Sequence, residues 1–262
     1  MKKFLCAVLA VLVVGLMAGC GGGADKKAAD APSAKKELIV GTEPGFAPFE
    51  FQDEKAKDYA GFDMDLIRAV AKKMGYEKCT ISNMGFDALI PALETKNIDV
   101  IIAGMTITDE RAKKVSFTKS YYKSGLAIVV GKDNDSIKSL ADLKGKRIGV
   151  QIGTTGAMQA EKIEGAQVKN FNVNGEACLE LKNKGVDAVI GDLPVEQWFL
   201  KNGGSDYAKI VGETITAEDY GIATAKNNPE LAKKIDAVLD EMKKNGEYDK
   251  LYEKWFGSLP KK

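Results

Sequence analysis

The sequence predicts an α/β protein built as two similar lobes, and three observations carry that reading. Short apolar runs alternate with segments of about ten residues whose apolar positions fall at helical spacing, the pattern of parallel strands joined by helices. The chain also echoes itself. Residues 92–102 read ALETKNIDVII and residues 179–190 read LELKNKGVDAVI, each a helix end, an aspartate and a short buried strand. The composition is that of an ordinary globular protein, 262 residues with 45% hydrophobic and 29% charged.

The elements follow in order. Leu38, Ile39 and Val40 form a short strand that ends in the loop Gly41-Thr42-Glu43-Pro44-Gly45. Leu66, Ile67, Val70, Ala71 and Met74 lie on one helical face behind Asp63 and Asp65, whose charge suits a helix N-terminus. A strand over 78–83, a helix over 86–95 and a strand over 100–102 come next. A strand over 147–151 leads through Gly153-Thr154-Thr155-Gly156 into a helix reaching about 163. Then follow a strand over 168–171, a helix over 176–184, a strand over 188–190 and a helix over 194–202. The C-terminal part is helical over 229–244, with Pro229 suited to a first turn, and again over 247–256 after Gly246.

The N-terminus reads as an address rather than as fold. Lys2 and Lys3 precede an apolar run from 4 to 18, shorter than the ~18–20 residues of a bilayer span. It ends in Met17-Ala18-Gly19-Cys20, which resembles a bacterial lipoprotein lipobox with Met17 in place of the usual leucine. The expectation is a signal peptide over 1–19 and lipidation of Cys20; an ordinary secretory signal or an uncleaved anchor is the alternative. Loss of 1–19 removes two lysines and no acid, so the net charge passes from +1 to −1. Residues 21–36 lack any large apolar side chain and read as a flexible tether. This places a folded body from about Glu37 outside the cytoplasm, on the outer face of a membrane or in a periplasm.

Composition also excludes. With 38 basic against 37 acidic side chains there is no basic surface for nucleic acid, and with no histidine there is no Ser-His-Asp triad or HExxH zinc site. No metal or cofactor is expected. Cys79, in a strand, and Cys178, in a helix, fall in different lobes and read as two buried thiols rather than a disulfide.

Several stretches resemble the polar amino-acid-binding proteins of ABC importers. They are Gly41-Thr42-Glu43-Pro44-Gly45-Phe46-Ala47-Pro48-Phe49-Glu50-Phe51, Gly61-Phe62-Asp63-Met64-Asp65-Leu66, Ile107-Thr108-Asp109-Glu110-Arg111, Gln151-Ile152-Gly153-Thr154-Thr155-Gly156, and the closing Asn245-Gly246-Glu247-Tyr248 to Trp255-Phe256-Gly257. The glutamine-binding and the arginine/lysine/histidine-binding branches are both similar. The resemblance implies the two-lobed periplasmic-binding-protein fold of type II, with two hinge crossovers. Lobe 1 would be about 37–124 plus 219–262 and lobe 2 about 125–218, so one copy of the echo falls in each. It also implies a polar L-amino acid as ligand, ABC permease subunits as partners, a monomer, and no enzymatic activity.

Carried onto this chain, the resemblance assigns site residues whose chemistry suits the task. Arg111 offers a planar fork for an α-carboxylate, although a surface pairing with Glu110 or Asp109 is its alternative. Thr154 and Thr155 open a helix whose N–H groups favour the same anion, or cap it. Asp192 would take the α-ammonium, with the Gly104 carbonyl and Thr106 hydroxyl beside it; capping the helix at Pro194 is its alternative. Phe46 and Phe86 would wall the ligand side chain, while Phe49, Phe51 and Phe62 are left as core or rim. The glutamine branch usually carries Asp, Lys and His where Glu43, Gln151 and Gly191 stand here. Those departures lean towards arginine or lysine, then glutamine. An enzyme resembling cyclohexadienyl or arogenate dehydratases, and a sensor reporting to a receptor, are the other classes such a chain could serve.

Overall fold

The computed structural model describes residues 35–258. The expected signal segment, Cys20 and the tether up to 34 lie outside them. The described part opens with β1 (Lys35–Thr42), three residues ahead of the strand expected at Leu38, then a small antiparallel ribbon of β2 (Gly45–Phe46), β3 (Glu50–Asp53) and β4 (Asp58–Ala60). Next come α1 (Phe62–Lys73), β5 (Tyr76–Asn83), a 3₁₀ turn running into α2 (Leu89–Glu94), β6 (Val100–Ile101), α3 (Asp109–Lys114) and β7 (Val115–Phe117). After the crossing strand β8 (Tyr122–Ser124) the chain forms β9 (Leu126–Gly131), β10 (Arg147–Gln151), α4 (Thr155–Ala160), β11 (Gln167–Phe171) and α5 (Asn174–Lys182). β12 (Ala188–Asp192), α6 (Leu193–Lys201) and β13 (Ala208–Val211) complete that part. The return strand β14 (Glu218–Tyr220) leads to β15 (Ala223–Ala225), α7 (Pro229–Lys244) and α8 (Glu247–Phe256).

Two five-stranded sheets result, in the orders β5-β1-β6-β15-β7 and β11-β10-β12-β9-β13. They correspond strand for strand, and the two copies of the echo end on β6 and β12, third in each. In both, the first three strands are parallel and the last two pairings antiparallel. The sheets are therefore mixed, not largely parallel. The reason lies in the crossings: β9 directly follows β8 and β15 directly follows β14, so each sheet receives a strand arriving from the other lobe. β8 and β14 themselves pair antiparallel, Ser124 opposite Glu218 and Tyr122 opposite Tyr220.

Each sheet buries both faces. Along β9, Leu126, Ile128 and Val130 join one cluster and Val129 the other, the period-two alternation of a strand covered by helices on both sides. In the first lobe α1 buries Phe62, Met64, Leu66, Ile67 and Val70 against Leu38 and Val40, with Ile235 and Leu239 of α7. α8 adds an aromatic face to the crossing, where Tyr122 stacks on Tyr220 at 5.7 Å and on Tyr252 at 5.8 Å. Phe49 and Phe62 are fully buried core, while Phe51 stands at the rim against Trp255, 5.8 Å away. Cys178 is buried on α5, but Cys79 is only half-buried on β5 because that strand is the sheet edge; both are free thiols.

Gly61 sets where α1 begins. Its φ is +128°, and a Cβ there would stand 2.0 Å from the Phe49 carbonyl oxygen, a backbone atom that cannot rotate away. Gly61→Ala is expected to cost on the order of 3 kcal/mol. Urea unfolding midpoints would register it; a loss below about 0.5 kcal/mol would mean that the turn yields freely.

Candidate functional site

In open α/β sheets, ligands sit beyond the carboxyl ends of the parallel strands. Here those ends converge from both lobes. β1 delivers Glu43, β6 delivers Gly104 and Thr106, β10 delivers Gln151, Thr154 and Thr155, and β12 ends on Asp192. With Phe46, Phe86 and Arg111 they line one narrow, partly open pocket, with only about 10 Å³ of free space. All ten residues singled out in the sequence are thus brought together. Two wall residues, Glu50 and Ala103, were not among them.

Arg111 is buried, 5% exposed, so pairing with Glu110 or Asp109 at the surface does not describe it. Thr108 caps α3 through Arg111 N–H at 3.2 Å and so fixes the stem. Nη1 donates to the Thr106 carbonyl at 2.8 Å, and Nη2 donates across the lobes to the Gly153 carbonyl at 3.0 Å. The Phe86 ring centroid lies 5.2 Å from the guanidinium carbon. A guanidinium has five N–H donors, so this leaves donors for an anion. Burial lowers its pKa, and Asp192 and Glu218 oppose that.

Across the cavity, Glu43 accepts a hydrogen bond from Gln151 Nε2 at 2.9 Å, and the same nitrogen donates to the Asn172 carbonyl at 3.1 Å. Burial raises the Glu43 carboxyl above its usual range. Asp192 makes no capping bond to α6; its Oδ1 accepts from Tyr220 O–H at 2.5 Å instead, with Ser124 Oγ at 3.4 Å. Burial, then the charge of Glu218, pushes its pKa up to about 7. Gly104, at φ +52°, leaves room that a Cβ would take from Phe46, 2.5 Å away. Its N–H donates to Asp63 Oδ2 at 3.0 Å.

The two threonines differ. Thr154 spends its hydroxyl on α4, accepting from Ala157 N–H at 3.2 Å and donating to the Gln151 carbonyl at 2.7 Å. Its N–H also points to the Gln151 carbonyl, at 3.4 Å, and α4 has just six residues, so individual N–H groups matter there more than a helix dipole. Thr155 donates to Glu218 Oε2 at 3.0 Å, as Thr106 does at 2.8 Å. Glu218, on the return strand β14, therefore ties one threonine from each lobe.

Glu50, Glu218 and Asp63 escaped sequence reasoning for one physical reason. A carboxylate in a short strand or a first helical turn reads as surface, and Asp63 was read as a helix-end charge. It is fully buried instead, accepting from Gly104 N–H and, at 2.7 Å, from Tyr121 O–H. The outer charge is Asp65, which meets Lys254 and Trp255.

Residues 38–258 match the family described as bacterial extracellular solute-binding proteins, family 3. The chain belongs to that family. Its description is of solute-binding proteins, and the two-lobed architecture traced above is the expected type II fold. Among its similar members, the arginine-binding extracellular protein ArtP of Bacillus subtilis (strain 168) is 36% identical over 261 residues, covering 98% of both chains. The solved structure of an ancestral arginine-binding protein bound to arginine matches with a TM-score of 0.82 and 52% identity over 86% of this chain and all of that one. An ancestral arginine-binding protein bound to glutamine matches at 0.79 and 51%, over 86% and 99%.

Proposed function

We propose that this family member captures a free basic amino acid, arginine or lysine, between its lobes and presents it to the membrane subunits of an ABC importer. The observation that supports this best is the cavity's charge pattern. One guanidinium, Arg111, would hold the α-carboxylate, and two carboxylates, Asp192 and Glu43, stand where an α-ammonium and a distal cation would sit. Phe46 and Phe86 wall the stem between them. The arginine-binding relatives point the same way. Glutamine is the second reading, because a similar structure holds it and Glu43 already accepts from the amide of Gln151.

In the working cycle, residues 37–124 with 219–262 would form one lobe and 125–218 the other, turning about β8 and β14. Contacts made only when both lobes meet the ligand drive such closure. Arg111 to Gly153 and Gln151 to Glu43 already join the two lobes, and a ligand would add its own contacts to both. A lipid on Cys20 would keep the monomer at the membrane.

Calorimetric titration of residues 21–262, unfolded and refolded to strip carried ligand, against the twenty amino acids and ornithine tests the reading. Affinity tighter than about 1 μM for arginine or lysine supports it; tight binding of glutamine alone moves it to the second reading, and no binding sinks both. The pH series has a defined sign. A ligand ammonium pairs with ionised Asp192, whose pKa is pushed up to about 7, so binding below that pH must release a proton. Arginine affinity should rise with pH, up to about tenfold per unit between pH 5 and 7, and flatten above. A flat profile over that window would remove Asp192 from the ammonium site.

A further inference from the structure

One buried group on the cavity wall has no part in the reading above. Glu50, on β3, is fully buried, and neither of its carboxyl oxygens meets a hydrogen-bond donor. Asp63 Oδ1, in the first turn of α1, is in the same position. The two residues are neighbours: Asp63 N–H donates to the carbonyl of Phe49, the residue before Glu50, at 2.9 Å, and each carboxyl feels the other. Two ionised carboxylates cannot share a dry site at low cost, since each is an acceptor and both repel. A single proton between them supplies the missing donor to both residues at once.

The surroundings decide which carboxyl keeps it. The charge on Asp63 is held by two donors, Gly104 N–H and Tyr121 O–H, through Oδ2. Glu50 has none, and it faces Asp63 from α1, Glu43 from the loop after β1 and Asp192 from the end of β12. Arg111, from α3, is the one cation on the same wall. Burial first, then the charges of Asp63 and Glu43, drives Glu50 well above the usual carboxylate range, whereas Asp63 is pushed only to about 6.

We infer that Glu50 is carried as a neutral carboxylic acid, its proton donated to Asp63, and that its other oxygen is an uncharged acceptor for the ligand inside the cavity. This deepens the basic amino-acid reading and rests on it for the ligand. The wall then carries one positive charge, on Arg111, and two negative charges, on Glu43 and Asp192. With Asp63 and Glu218 just behind that wall the site is net negative, which suits an amino acid of net charge +1. An ionised Glu50 would add one more buried negative charge beside Asp63, with no donor to hold it. The pair also steadies the ammonium side of the site, because the Asp63 carboxylate that receives the proton holds the Gly104 amide in place.

The test uses two independent readouts on the full soluble chain. Infrared difference spectra of wild type against Glu50→Gln at pH 7.5 should contain a protonated-carboxyl C=O band that the variant lacks, whatever ligand the protein takes. In calorimetry with the amino acid that wild type binds tightest, Glu50→Ala should lose about tenfold or more in affinity. Glu50→Gln, whose amide donates and accepts as the acid does, should restore it to within about threefold. Both results are required. Absence of the band, or a Glu50→Gln affinity no better than that of Glu50→Ala, overturns the inference even where Glu50→Ala fails to fold. Failure of arginine and lysine to bind wild type would overturn the ligand reading alone, since the infrared band does not depend on it.

Discussion

Arg111→Ala is expected to weaken every amino acid the protein binds by about a thousandfold, some 4 kcal/mol. The size follows from burial. A ligand α-carboxylate brought into this cavity loses its water, and with Arg111 gone it faces the carboxylates of Asp192 and Glu43 with no opposing charge. Truncation also frees the Thr106 and Gly153 carbonyls, and the second of those bonds spans the lobes. The loss should therefore fall on affinity and on closure together. Calorimetry would read the first, and the second would appear as loss of the ligand-induced rise in Tm. Arg111→Lys keeps the charge but not the fork, and should recover only part of the affinity. Retention of binding within about threefold in Arg111→Ala would place the carboxylate elsewhere.

The helices α7 and α8 were legible to the residue. Leu231, Ile235, Leu239 and Met242 repeat at helical spacing, Pro229 opens the first and Gly246 separates the two. Other boundaries slipped for local reasons. The helix expected over 176–184 begins at Asn174, and the one expected to reach 163 ends at Ala160, its last turn tightening into i to i+3 bonds. β2, β4, β7, β8, β14 and β15 have two or three residues each, too few for any periodicity to stand out. β9 did carry a signal, the unbroken apolar run Leu126-Ala127-Ile128-Val129-Val130, typical of a strand buried on both faces. The ten cavity residues came through the resemblance, because their spacing in the chain means nothing until two sheets face each other. Glu50 and Glu218 lay beyond both routes: what buries them is the packing of the β2–β4 ribbon on α1 and the crossing of β8 with β14.

Glu43→Gln should change which amino acid is preferred rather than whether one binds. The substitution removes a buried charge and leaves an amide oxygen that Gln151 Nε2 can still reach, so the contact between the lobes survives. For arginine or lysine it takes away the carboxylate that would compensate the distal cation in the proposed site, and a loss of about a hundredfold is expected. Glutamine has no distal charge, and an amide partner can serve it nearly as well as an acid, so its affinity should move by less than about threefold. The ratio of the two affinities, measured side by side by calorimetry, is the decisive quantity. It also separates Glu43 from Arg111, which should depress both ligands alike. Equal losses for arginine and glutamine in Glu43→Gln would mean that Glu43 holds the lobes together through Gln151 and has no hand in selection, and the distal cation would then need another partner on the wall.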